Sequence, residues 1–410
     1  MKILVLSPVV PFPPDDGGRI RLYELAAGLA ARHDVELLVL TEGGDDDVEG
    51  LAALRAEGLR VEAVTHRRDR RAVAAQALLT ARSFNGNLVR SRRLLHLLEA
   101  RLAAGDVDSV HCEYSSMAPY RRSHEGAPWV LDAQNVEFMV NASLAGASNG
   151  RDRAGYRAYA LRETRCRRRE EVTAWRRMDH VTLVSEVDRR IVQDLAPGTA
   201  TTVVPNGVDV DRLRPPERAT ERPADGRPVA VFVGKMDYRP NVDGIRWFAD
   251  EVLPLVRERV PSFELTIVGR DPTRAVRSLN DRAGVHVTGR VASTTPFLHE
   301  ASLAVVPLRA GSGTRLKVLE AMAAGTPVIS TPLGAEGLDV EAGRHLVVAD
   351  GAIAFATAVV DLLADPARRL RLASEGRRLV EDRYSWSSAV GTLVAVHERV
   401  VEGHRARGRG

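Results

Sequence analysis

Residues 307–331 read PLRAGSGTRLKVLEAMAAGTPVIST. The apolar run ending at Pro307 predicts a buried strand, Gly311, Ser312 and Gly313 predict a loop, and 315–324 predicts a short helix. Gly325 and Pro327 stop that helix before a second apolar strand. A Gly-rich loop feeding a helix start is an anion site. The unpaired N–H groups of the first turn and the positive end of the helix dipole face whatever sits in front of Gly313 and Thr314, which suits a phosphate or diphosphate. The helix is apolar nearly all round, through Leu316, Val318, Leu319, Ala321, Met322 and Ala323, so it is expected inside a domain. Lys317 and Glu320 nevertheless sit on it, one turn apart. Charges on a buried helix are costly unless they pair with each other or meet a ligand, and the loop immediately upstream favours the ligand.

Composition also singles out Lys317. Of the 58 basic residues only Lys2, Lys235 and Lys317 are lysines. Such an arginine background reflects coding bias and says little about nucleic acid, whereas a retained lysine is informative, because a compact ammonium and a planar fork are not interchangeable at a phosphate. A chain of 410 residues exceeds what one core usually serves and predicts two domains. The apolar fraction of 44% and aromatic fraction of 5% fit a soluble globular protein. Net charge is only +4 against 54 acidic residues, a mixed-sign surface that excludes a nucleic-acid footprint despite the pI near 9.3. Cys112 and Cys166 lack metal or redox spacing and are expected as free thiols in a reducing compartment. With no apolar run of about 18 residues and a proline-broken start, neither a membrane span nor a signal peptide is expected. The expected location is cytoplasmic.

From the N-terminus, a strand over 2–6, a Pro-rich loop through Gly17-Gly18, a helix over 20–32 and a strand over 35–40 make a βαβ unit, hence a parallel sheet. Strands over 61–64, 109–111, 129–131 and 181–184 continue the pattern, with a charged helical segment over 151–177. The Pro- and charge-rich stretch 213–228 reads as a linker. A second α/β run follows, with strands over 229–233, 263–268, 285–288, 303–307 and 328–330 and a long helix over 242–260. An amphipathic helix over 384–401 closes the chain. Two doubly wound Rossmann-like domains, 1–205 and 206–380, are expected to bind ligands at the carboxyl ends of their strands.

Several residues are placed for chemistry. Gly17 and Gly18 let backbone approach a ligand closely, or make only a turn, and neither they nor Gly311-Ser312-Gly313 fit the G-x-G-x-x-G dinucleotide pattern. Lys235 follows the first strand of the second domain, where a lysine can meet a phosphate. His111 and Glu113 fall at a strand end, with Gln134 and Glu137 at the end of the next, positions suited to acid/base or hydroxyl-binding work. The D-x-D pairs Asp106/Asp108 and Asp209/Asp211 are discounted as metal ligands because of their turn and strand contexts, and no metal is expected. Arg162, Arg165, Arg167, Arg168 and Arg169 read as a solvated helix face balanced by Glu163, Glu170 and Glu171. The sharper alternative is contact with an anionic membrane surface or a lipid-linked acceptor.

Together GSGTRLKVLEAMAAGTPVIST, VVPNGVD, VFVGKMDYRPNVDGIRWF and DDGGRIRLYELAAGLA resemble the retaining glycosyltransferases of family four, which have the GT-B fold, over nearly the whole chain. The resemblance implies that Glu320 binds the ribose hydroxyls of a nucleotide-sugar donor, that Lys235 and the stretch Gly313, Thr314, Arg315 and Lys317 hold its diphosphate, and that the Gly17-Gly18 loop approaches the donor from the other domain. It implies that the tail from 381 to 402 crosses back to the first domain. It further implies transfer to an acceptor hydroxyl with retention, no metal and no cofactor, leaving His111 and Glu113 for positioning. The chain departs from the family pattern at Ser312, where a glutamate is usual, at Glu113, where many members have the second of two histidines, and at Asn241, where a second basic residue is frequent. A nucleotide-sugar epimerase of the same architecture, or a non-catalytic partner subunit, are the alternatives.

Overall fold

The computed structural model describes the chain except residues 15, 122–125, 140–152, 216–226, 311–314 and 408–410. It divides into two compact units, Met1–Pro205 with Trp386–Gly410, and Asn206–Ser385.

In the first unit β1 (Lys2–Ser7), β2 (Asp34–Thr41), β3 (Arg60–Thr65), β4 (Ser109–Glu113), β5 (Trp129–Ala133), β6 (His180–Leu183) and β7 (Thr201–Val203) form one sheet in the order β3-β2-β1-β4-β5-β6-β7. Every neighbouring pair is parallel. Helices cover both faces of such a sheet, which explains near-continuous apolar strands such as ILVL at 3–6. The helix α1 (Gly17–Ala30) starts three residues earlier than its apolar period suggests, capped by Asp16, whose carboxylate accepts from the Arg19 amide at 3.0 Å. The charged segment is one helix, α2 (Arg153–Arg177).

In the second unit β8 (Val229–Val233), β9 (Glu264–Val268), β10 (Val285–Gly289), β11 (Leu303–Val306), β12 (Val328–Ser330) and β13 (Val347–Val348) pair in parallel in the order β10-β9-β8-β11-β12-β13. The helix expected over 242–260 is broken into α3 (Arg239–Trp247), a π turn over Phe248–Val252 and a helix over Leu253–Arg259. Pro254 supplies the reason: it has no N–H, and its ring crowds the carbonyl four residues back, so the ladder resets by one residue. The helix α4 (Leu316–Ala323) buries Val318, Leu319, Ala321, Met322 and Ala323 under β11 and β12, and each large apolar side chain so buried contributes about 1.5–3 kcal/mol. The long helix α5 (Pro366–Arg383) packs against it.

The chain's last helix, α6 (Trp386–Arg407), belongs to the first unit. Val390 sits where a Cβ on Gly28 of α1 would come within 2.3 Å of its Cγ2, so α1 and α6 meet in the groove that this glycine leaves. Val396 and Val400 pack on Val130 of β5, and Arg405 pairs with Asp108 at 2.5 Å.

Candidate functional site

The sheet of the second unit reverses its build direction between β8 and β11, and a doubly wound sheet binds ligands outside the carboxyl ends of its strands at that switch point. β8 delivers Gly234 and Lys235 there, and β11 leads to Pro307 and, further along the chain, to Arg315 and α4. The Lys235 loop is pinned from below: the Gly234 amide donates to Val268 O at 3.0 Å and the Met236 amide to Arg270 O at 2.9 Å. Gly269, at φ 154°, must be glycine, because a Cβ there would stand 1.7 Å from the Gly234 carbonyl oxygen.

Asn241 joins Lys317 to the backbone of Lys235. Lys317 Nζ donates to Asn241 Oδ1 at 2.6 Å, Asn241 Nδ2 donates to the Lys235 carbonyl at 2.8 Å, and the Lys317 ammonium lies 4.4 Å from the centre of the Phe232 ring. Lys317 therefore bonds to Asn241 and not to Glu320, which settles the pairing that the i,i+3 spacing left open. Some of the side chain reaches the surface, yet burial pulls the Lys317 pKa down to about 7, helped by the Arg315 charge and opposed by Glu320. Burial likewise pushes the Glu320 carboxyl up, against the charges of Arg212 and Lys317. Arg315 is buried just before α4, and Lys235 pairs with Asp237 at 3.4 Å. Gly313, Thr314 and Ser312 lie outside the described residues.

The first unit departs from the expected placement. Gly17 and Gly18 form the first turn of α1, not an open loop, and a Cβ on Gly18 would come within 2.4 Å of Tyr114 Oη and 3.2 Å of Gln134 Oε1. Glu113 ends β4, as expected, but the strand runs two residues beyond 111 and leaves His111 in mid-strand, and both side chains are buried. They belong to a line of polar groups, in which Ser109 Oγ is 2.9 Å from His397 Nδ1, His397 Nε2 is 3.2 Å from His111 Nδ1, and His111 Nε2 is 3.1 Å from Glu113 Oε1. Gln134 Nε2 closes the line by donating to Glu113 Oε2 at 2.9 Å. With Glu113 accepting, His111 donates through Nε2 and accepts at Nδ1, so the line fixes its tautomer. Burial holds the His397 pKa well below its ordinary value.

The residue after Glu113 carries the strain. Tyr114 has φ 65°, rare for a side-chain-bearing residue and frequent at ligand sites. It lines a cavity of about 500 Å³ beyond the carboxyl ends of β1, β2 and β4, with Arg19, Thr41, Ser116, Glu137 and Arg167. Arg167 comes from the expected solvated block, which α2 instead turns two ways. Arg162 donates to the carbonyls of Ala77 and Thr80, and Arg167, 7% exposed, lies 3.8 Å from Glu137. Glu163 and Glu170 accept from the amides of Phe84 and Ser83, and Glu171 from those of Glu137 and Phe138. Burial, with the Glu137 charge, pushes the Glu171 carboxyl up to about 8. Only Arg165, Arg168 and Arg169 remain outward.

Both D-x-D pairs are engaged within the protein: Asp209 caps the amides of Asp211 and Arg212, while Asp106 and Asp108 bind Lys2 and Arg405. Among the described residues no group of three or more His, Cys, Asp or Glu side chains gathers that could hold a metal ion, and no helix is long and apolar enough to cross a membrane.

Known structures share this architecture. The sucrose-phosphate synthase of Thermosynechococcus elongatus superposes with a TM-score of 0.73 at 19% identity, covering 98% of this chain and 100% of that one. HepE of Anabaena, solved with UDP and glucose, gives 0.67 at 15% identity over 97% and 99% of the two chains. Fold and sheet order thus define a GT-B glycosyltransferase architecture. The model "Glycosyltransferase Family 4" matches residues 16–212 and "Glycosyl transferases group 1" matches 227–365, one on each unit, and the chain belongs to glycosyltransferase family 4. The phosphatidyl-myo-inositol mannosyltransferase of Mycobacterium leprae is 33% identical over 223 residues, 53% of this chain and 58% of that protein. The chain spans little more than half the length of the curated relatives it matches.

Proposed function

We propose that this chain transfers a sugar from a nucleoside-diphosphate donor to an acceptor hydroxyl, with retention and without a metal, in glycolipid or glycan synthesis at the cytoplasmic face. The observation that carries the reading is that Lys235 follows β8, and Lys317 and Glu320 on α4 follow β11, the two strands that flank the switch point, with Asn241 joining the two elements. The relative named a phosphatidylinositol mannosyltransferase and the neighbour solved with UDP and glucose support it.

The chemistry follows from charge. As the anomeric C–O bond to the diphosphate breaks, the electron pair leaves with the phosphate, and positive charge already in place lowers the barrier because no solvent must reorganise. Lys235, Lys317 and Arg315 supply that charge. The acceptor oxygen bonds to the anomeric carbon from the leaving group's own face, and its proton passes to the departing phosphate oxygen. Glu320 offers two oxygens to the vicinal diol of the ribose. The acceptor is assigned to the Tyr114 cavity, whose mixture of carboxylate, guanidinium, hydroxyl and apolar groups suits a polyol. His111 and Glu113, buried, act only through Gln134 and the first turn of α1.

Replacing Glu320 by Ala removes charge-assisted bonds of about 1.5–3 kcal/mol. Nucleoside-diphosphate affinity, measured calorimetrically, is expected to fall roughly 10- to 100-fold. Unchanged affinity overturns the ribose assignment, and activity lost to EDTA and restored by a divalent cation overturns the metal-free one. The outward Arg165, Arg168 and Arg169 are assigned to an anionic membrane surface, at about 1 kcal/mol each. Sedimentation with phosphatidylglycerol vesicles is expected to weaken markedly in the triple Arg→Gln protein. Equal binding to phosphatidylcholine vesicles, or no loss in the variant, counts against that contact.

A further inference from the structure

Asn241 is only 5% exposed, and both ends of its amide are committed to the two lysine-bearing elements. Its Oδ1 accepts from Lys317 and its Nδ2 donates to the Lys235 carbonyl. An ammonium can only donate and a carbonyl can only accept, so the orientation of this amide is fixed by its partners. Its backbone is held as well, with the Asn241 amide donating to Tyr238 O at 2.9 Å at the start of α3. Gly234 leaves the space: a Cβ there would come within 2.7 Å of Asn241 Nδ2 and 3.0 Å of Lys317 Nζ. Residues 76 positions apart are thereby joined through one side chain.

We infer that Asn241 is a positioning residue, which locks the β8 loop to α4 so that Lys235 and Lys317 bind one diphosphate as a coupled pair. The inference rests on the donor site assigned above and adds to it a residue that touches no ligand. An asparagine serving only helix α3 would support folding, and its loss would weaken ligand binding independently of Lys317. A coupling residue behaves differently. Once Lys317 is gone, removing Asn241 has little left to disturb.

The test is a double-mutant cycle with whichever of UDP, GDP, ADP, TDP and CDP the wild-type protein binds most tightly. Lys317→Met and Asn241→Ala are each expected to weaken affinity about tenfold, and the double variant to be no more than about threefold weaker than Lys317→Met alone. Multiplied losses in the double variant, or wild-type affinity in Asn241→Ala, overturn the inference while leaving the donor site standing. Wild-type affinity in Lys317→Met overturns the donor site and the inference together. If Asn241→Ala does not fold, Asn241→Ser, too short to reach Lys317, carries the same cycle. Asn241→Asp adds a second readout, because a carboxylate beside the ammonium favours its charged form. It is expected to move the pH midpoint of diphosphate binding up by about 1 unit, with Arg315, Glu320, Arg212 and the Lys235–Asp237 pair unchanged around it. No movement of that midpoint also counts against a coupling role.

Discussion

An Arg21→Leu protein is expected to lose about 3–5 kcal/mol of stability in its first unit. Arg21, 1% exposed, grips the fully buried Asp132 through two hydrogen bonds of 2.7 Å, from Nε and Nη2, and Thr182 adds a third of 2.7 Å. Without the guanidinium, Asp132 keeps a buried charge that only a hydroxyl satisfies. The pH dependence gives the loss its signature. Burial alone would raise the Asp132 carboxyl, but the Arg21 charge and hydrogen bonds outweigh it and hold the pKa below its ordinary value. A depressed carboxylate stabilises above its unfolded pKa, and that contribution vanishes as pH falls through the folded one. In the variant burial dominates and the sign inverts, so Asp132 destabilises when ionised and is tolerated once protonated. The gap between wild type and variant is therefore largest near neutrality and narrows as pH falls, first through the variant's raised Asp132 pKa and then below the ordinary carboxylate value of about 4 as the wild-type contribution is lost. Urea unfolding of the transition that carries the first unit measures it. A deficit under about 1 kcal/mol at pH 7, or one that widens on acidification, sinks this account. Replacing Asp132 by Leu as well is expected to recover much of the loss, since an apolar pair of similar volume leaves no charge uncompensated.

That ion pair illustrates what the chain does and does not disclose along its length. Strands of a parallel sheet are apolar on both faces and bounded by glycine and proline, so all but the short edge strands β7 and β13 were legible, and Lys235 could be placed just past a strand's carboxyl end, whereas the sheet order that makes this a switch point could not be read. Local periodicity could not say where a strand ends when its last residue is polar: β4 runs on past His111 through Cys112 to Glu113, whose carboxylate Gln134, distant in sequence, satisfies. The basic block failed for a related reason. A helix period sorts residues into faces, and the carbonyls that bind Arg162 and the cavity that takes Arg167 lie on other elements. Lys317 and Glu320 looked like partners by spacing, yet Asn241 offered the closer acceptor. The Gly-rich loop upstream and the composition, three lysines among arginines, both hinted that this ammonium was special.

Its titration yields the second large effect. Free Lys317 loses its proton near pH 7, and a diphosphate bound beside the ammonium raises that value, because an opposite charge favours the charged form. Affinity is therefore expected to hold below about pH 7 and to fall as pH rises from there through the higher pKa of the complex. Above pH 7 the ligand supplies no competing change, since a terminal phosphate has its last ionisation near 6. Stability of the free protein should move the opposite way. The unfolded chain holds the Lys317 proton up to its ordinary pKa of 10.5 while the folded chain releases it near 7, so this residue's contribution rises with pH across that window. Opposed slopes in binding and stability are hard to obtain from any other group here. A Lys317→Met protein is expected to bind about tenfold more weakly at pH 6.5, as for loss of one desolvated charge-assisted contact, and to lose both the fall in affinity and the rise in stability, keeping only the decline in stability that the raised Glu171 carboxyl gives up to about pH 8. Calorimetric titrations and thermal melts between pH 6.5 and 9 decide it. A wild-type affinity that stays flat across that range, or a Lys317→Met protein that keeps the same fall, removes the lysine from the diphosphate site and returns it to the packing of α4.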